Sequence, residues 1–109
     1  MDNIQRSIDR QRIFLSHPMS GKTLEEVKKD REKYIKQIIE KTNDNTIFVH
    51  DNIQEDLPEG TRPIVYIAND IKMLTETDAV YFAPGWENSR GCKVEHMVAK
   101  EYGIPCYYL

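Results

Sequence analysis

The run Ala79-Val80-Tyr81-Phe82-Ala83-Pro84-Gly85-Trp86-Glu87-Asn88-Ser89-Arg90-Gly91-Cys92-Lys93-Val94-Glu95 passes from strand to turn to helix. Ala79 to Phe82 is apolar and aromatic, which suits a buried strand. Pro84-Gly85 breaks it, and helical spacing then predicts a helix over 90–102 with Gly103 as its stop. Ser89 is placed to cap that helix, and Glu95 falls in its first turns. A helix start offers unpaired backbone N–H groups and positive dipole potential, so oxygen-rich or anionic ligands bind there readily.

The same alternation extends outward in both directions. Ile13-Phe14-Leu15 predicts a first strand, ended by the turn-rich loop Ser16-His17-Pro18-Met19-Ser20-Gly21. Thr23 with Glu26 forms a capping box for a first helix, whose apolar stripe is Leu24, Val27, Tyr34, Ile35, Ile38 and Ile39, with Arg31 at its boundary. Asn43-Asp44-Asn45 stops that helix, and Thr46 to Val49 predicts the second strand. The acidic stretch 51–60 reads as a surface loop long enough to close over a ligand. A second helix starts near Thr61, tolerates Pro63 in its first turn, and presents Ile64, Ile67, Ile71 and Leu74 as its apolar stripe. Asp70 lies one position off that stripe. Pro105 to Leu109 is the last strand. Strands alternating with helices predict an α/β fold: a three-layer, Rossmann-like (flavodoxin-like) sandwich around a four-stranded parallel sheet.

With 109 residues the chain suits one domain, here 12–109, preceded by a polar arm at 1–11. A net charge of -3 with scattered basic residues argues against a nucleic acid polymer as partner. No apolar run approaches a membrane span and the start has no signal-peptide core, so the expectation is a cytoplasmic protein without a membrane partner. Cys92 and Cys106 show no metal-ligand spacing, and neither a metal nor a cofactor is expected. Cys92 reads as a small buried filler rather than a nucleophile.

Ligands of parallel α/β sheets bind beyond the carboxyl ends of the strands. That rule gathers loop 16–22, His50 with Asp51, and loop 85–91 on one edge. Asp70 lies midway along the second helix, so its position alone does not decide whether it points into the cleft there. Two carboxylates near a sugar, here Glu95 and Asp70, have the chemistry to cleave an N-glycosidic bond, one attacking the anomeric carbon and the other managing the departing base's proton. Gly91, one helical turn before Glu95, leaves room for a sugar. The plainer alternative is a dipole-stabilising surface Glu. His17 and His50 read as base contacts or, in greater measure, as solvated turn residues. Trp86 either stacks on a base or covers the core. Asp78, ahead of the third strand, reads as a partner for backbone amides.

Gly85-Trp86-Glu87, Ser89, Gly91 and Glu95-His96, with Asp70 and Asp78 upstream, resemble a domain family frequent in phages and prophages, within the nucleoside 2-deoxyribosyltransferase-like superfamily. The resemblance spans Ile13 to Leu109. It implies that Glu95 is a nucleophile forming a glycosyl-enzyme intermediate and that Asp70 assists at base and sugar. Ser89 is similar to the serine of the nucleoside 5′-monophosphate hydrolases, where free-nucleoside transferases carry an Asp, so the implied ligand is a small-molecule nucleotide rather than a nucleoside. Ser16, His17, Ser20, Gly21, Lys22, Trp86, Ser89 and Gly91 are the implied binding residues, with Lys22 supplying charge to a phosphate. A homodimer or larger homo-oligomer is implied as well. The chain departs from this pattern at Phe14, where active members carry a Tyr, at Met19 or Ser20, where they carry an Arg, and at His17, which replaces a glycine. Those departures keep two alternatives open: an inactive nucleotide-binding module, and a structural or interaction domain.

Overall fold

The computed structural model describes residues 10–109. Their order is β1 (Arg12–Ser16), α1 (Leu24–Thr42), β2 (Phe48–Val49), α2 (Pro63–Leu74), β3 (Ala79–Phe82), α3 (Arg90–Glu101) and β4 (Cys106–Tyr108), with a single 3-10 turn at Trp86–Asn88 before α3. All the strands pair in parallel, in the order β2-β1-β3-β4. Most of the arm expected at 1–11 lies outside the described residues.

The pleat divides the core. Ile13 and Leu15 of β1 point to one face, where Tyr34 and Ile38 of α1 cover them; Phe14 points to the other, against Leu74 of α2 and Ala99 of α3. The three-layer sandwich therefore follows from alternate residues of strands that are apolar on both faces. Burial of β1 and β3 on both sides explains their continuous apolar runs. The short edge strand β4 leaves Tyr107 and Tyr108 about half exposed.

Local signals act where the sequence places them. Thr23 Oγ1 accepts from the Glu26 N–H while the Glu26 carboxylate accepts from the Thr23 N–H, closing the capping box. Asn43 takes the left-handed conformation at φ 53° and ends α1. Asp78 accepts from the Arg12 N–H at 2.8 Å, pinning the start of β1 beside β3. Two expectations fail on exposure. Leu24 and Ile64, placed on apolar stripes, are 50% and 60% exposed, because each sits in the first turn of its helix, beyond the end of the sheet that the stripe covers. The second strand is shorter than expected and keeps only Phe48 and Val49, with Ile47 buried just ahead of it.

This topology fixes where a ligand can sit. The chain leaves β1 toward β2 on one side and returns past β1 to β3 on the other, so the loops after β1 and β3 diverge and open a crevice. Thr23→Ala, which removes one half of the capping box far from that crevice, should lower the unfolding free energy by ~1 kcal/mol with an unchanged denaturant m-value.

Candidate active site

A cleft of about 980 Å³ lies at that crevice. The loop after β1 contributes His17 to Ser20, the loop after β2 contributes Asn52 and Ile53, and α2 presents Tyr66, Ile67 and Asp70. The other wall is Gly85, then Asn88 to Cys92, then Glu95. Gly85 adopts φ 89°, which only glycine takes without strain, and a side chain there would meet the Pro18 ring at 3.7 Å; the two diverging loops touch at this point.

Two carboxyl groups form the floor. Glu95 is 4% exposed and Asp70 6%, and the two side chains meet within hydrogen-bonding reach. Removal from water disfavours charge on both, and the neighbouring carboxyl adds to this for Asp70, whose pKa is pushed up to about 9. Burial raises that of Glu95 too, opposed by the hydrogen bonds that favour its ionised form. Ser16 Oγ donates one of them, to Glu95 Oε1 at 2.7 Å, from the last residue of β1. Burial and the neighbouring carboxyl thus favour a proton on Asp70, next to a Glu95 carboxyl that the Ser16 hydroxyl bonds. Helical propensity and the α3 cap, Ser89 Oγ accepting from the Cys92 N–H at 3.4 Å, set Glu95 at this depth.

Behind Asp70 lies a layer that sequence reasoning missed. Gln54 donates to Asp70 Oδ1 at 2.8 Å and to the Tyr66 carbonyl at 3.1 Å, and accepts from Asn69 Nδ2 at 2.8 Å. Its backbone stands at φ 60°, in the left-handed region. Asn52 donates to the Leu15 carbonyl at 2.8 Å and accepts from Arg31 Nη1 at 2.7 Å. The loop expected as a free surface lid is stitched to the sheet by these buried amides. The pair of side-chain amides at Asn52 and Gln54 was the available signal, masked by the acidic residues around them.

Of the residues expected at the site, Glu95, Asp70, His17, Ser20, Ser89 and Gly91 line the cleft, and Ser16 lies beneath it, bonded to Glu95. A side chain at Gly91 would also meet Ile67 Cδ1 at 3.0 Å, so this glycine lets α2 pack closely on α3. Gly21, Lys22 and Trp86 do not line the cleft. Gly21 makes an exposed turn at φ 79°, and Lys22 turns away to an ion pair with Asp30 of α1. Trp86 packs outward instead, its ring centroid 4.2 Å from that of His96 and 5.3 Å from that of Phe82. The cation on the cleft wall is Arg90, beside the α3 N-terminus.

Both loop histidines overturn the solvated reading. His50 is buried edge-on against Phe48. His17 is 3% exposed, neither ring nitrogen has a protein partner, and burial with Arg31 nearby lowers its pKa to about 4. Its imidazole is neutral at physiological pH. Cys92 is buried with its thiol pushed up by desolvation, as suits a filler. Among the described residues no helix is long and apolar enough to cross a membrane, and no group of three or more His, Cys, Asp or Glu is arranged around a metal site.

A parallel α/β domain with a buried acid pair at its switch point has the layout of a small-molecule enzyme or binding protein. The chain belongs to the family described as a domain of unknown function, DUF4406, which it matches over residues 11–108. No curated protein and no solved structure matches it.

The titrations give stability a defined pH dependence. Folded Asp70 keeps its proton up to about pH 9 whereas the unfolded carboxyl loses it near 3.8, so this contribution is complete below about pH 4 and is lost as pH rises toward 9. Asp70→Asn should therefore show a smaller fall in melting temperature between about pH 7 and pH 9 than the wild type. His17 runs the other way: its contribution is full above about pH 6.5 and is lost as pH falls toward 4. His17→Gln should flatten that acid limb in the same thermal scans.

Proposed function

We propose that the protein cleaves or transfers the N-glycosidic bond of a (deoxy)nucleoside 5′-monophosphate through Glu95. The observation that carries this reading is the pair of buried, neighbouring carboxyl groups, Glu95 and Asp70, on the floor of a nucleotide-sized cleft. Displacement at C1′ needs an ionised nucleophile and, beside it, an acid for the leaving base; a buried pair that shares one proton supplies both.

In the first half of the reaction a Glu95 oxygen bonds to C1′ as the C1′–N bond breaks. The bonding electrons go to the base nitrogen, which takes the Asp70 proton or passes it on within the base. A water, or a second base, then attacks C1′, returns a proton to Asp70 and frees Glu95. Ser16 holds the Glu95 carboxylate and keeps one of its oxygens occupied. This hydroxyl, two residues beyond Phe14 on the same face of β1, answers the missing tyrosine. Ser89 and the α3 N-terminus support a phosphate, and Arg90 is better placed than Lys22 to supply its charge.

Membership of the nucleoside 2-deoxyribosyltransferase-like superfamily, a phage or prophage origin and a cytoplasmic setting belong to this reading. So does assembly as a homodimer or larger, supported by the half-exposed Tyr107 and Tyr108 on the sheet edge. A second reading, a nucleotide-binding module without turnover, is favoured by His17, whose buried ring fills a position that glycine occupies in the resembling sequences.

A panel of ribo- and deoxyribonucleoside 5′-monophosphates separates the two. Free base should be released by the wild type, and Glu95→Gln should lower the rate by ~10⁴-fold or more. Saturable nucleotide binding without base release from any panel member would replace the first reading with the second. Arg90→Ala should raise KM for a monophosphate by ~10-fold while leaving kcat within a factor of about three, on the scale of a charge-assisted hydrogen bond.

A further inference from the structure

We propose that Gln54 is a positioning residue for Asp70: its side-chain amide, locked in one orientation, makes Asp70 a competent proton donor by stabilising the carboxylate that is left when the proton departs. The inference deepens the glycosidic reading and rests on it for the identity of the proton acceptor. The positioning itself rests on geometry alone.

The orientation of a glutamine amide is fixed by what its two ends meet. Here the oxygen end meets the Asn69 Nδ2, a donor only, at 2.8 Å. The nitrogen end meets the Tyr66 carbonyl and Asp70 Oδ1, acceptors both, at 3.1 and 2.8 Å. A flipped amide would set acceptor against acceptor at the Tyr66 carbonyl, the one contact whose polarity is invariant. Gln54 is 8% exposed, so no solvent competes for these contacts. The left-handed backbone at φ 60° is a conformation that a non-glycine residue keeps only when its surroundings hold it there. The side-chain bonds of Gln54 and the turn bond from the Leu57 N–H to its carbonyl, at 3.3 Å, surround it there.

The chemistry follows from the placement. Asp70 loses charge-stabilising water on burial and faces a second carboxyl, so without help it would hold its proton too firmly to pass it on. An amide N–H aimed at Oδ1 favours the ionised form and waits in place before the proton moves. Ser16 plays the matching part on Glu95, from the opposite wall. The other titratable or charged groups facing the pair are Cys92 of α3, His17 after β1, Tyr66 of α2 and Arg90 at the α3 start; none of these donates a hydrogen bond to Asp70. Gln54 also sits on the β2–α2 loop, so the loop and the acid are one mechanical unit. Displacing the loop withdraws the donor.

The test reads Asp70 directly, with no substrate. Carboxyl ¹³C resonances of Asp are followed against pH in the wild type, Gln54→Met and Asn69→Ala, with Thr23→Ala as a destabilised control. In Gln54→Met the Asp70 midpoint should move up by about one unit. Asn69→Ala, which frees the amide to rotate but leaves Gln54 in place, should move it in the same direction by less, and serves alone if Gln54→Met does not fold. Thr23→Ala should leave it where it is. An unmoved Asp70 midpoint in a folded Gln54→Met, or in Asn69→Ala where that variant stands alone, overturns the proposal. With a substrate from the monophosphate panel, the basic limb of the kcat profile should follow the same shift. If no panel member releases base while the Asp70 midpoint still moves, the glycosidic reading falls and the positioning role stands.

Discussion

Two carboxyl groups removed from water beside one another cannot both be ionised, and the site is organised around that constraint. Glu95 and Asp70 come from different helices, and each brings an interaction from a third element: Ser16 from the end of β1 for Glu95, Gln54 from the loop after β2 for Asp70. The pair therefore exists only when β1, α2, α3 and the loop are all in register. Its cost in desolvation is met by the apolar sheet beneath, where Phe14, Val80 and Phe82 have no exposure at all.

Much of this was legible from residue order. Apolar runs at Ile13 to Leu15 and Ala79 to Phe82, a capping box at Thr23 and Glu26, and glycine at position 103 each act through neighbours close in sequence, so the strands, helices and their layers could be read. The switch-point rule then brought the right loops together. Glu95 followed from spacing and resemblance, whereas position alone left the direction of Asp70 open and only the resemblance pointed to it.

What escaped notice depends on partners distant in sequence. Lys22 follows a turn that resembles a phosphate loop, yet Asp30 lies two helical turns further along α1 and captures it. Trp86 looks available for stacking until Phe82, His96 and Tyr108 are seen to surround it. Gln54 and Asn52 are ordinary polar residues in an acidic stretch, and only the fold turns them inward against Asp70 and the Leu15 carbonyl. Ile64 misled in the opposite sense, since periodicity cannot tell where a helix outruns the sheet it covers. His17 misled through residue type, as a loop histidine is usually wet and this one is not.

The contact between Gly91 and Ile67 has a consequence for how the pocket could diversify. With no side chain at position 91, the Ile67 Cδ1 of the neighbouring helix comes within 3.0 Å of where a methyl would stand. A methyl at position 91 would have to turn that Cδ1 aside within the cleft wall, so the room above Glu95 depends on the rotamer of one isoleucine as well as on the loops of the rim.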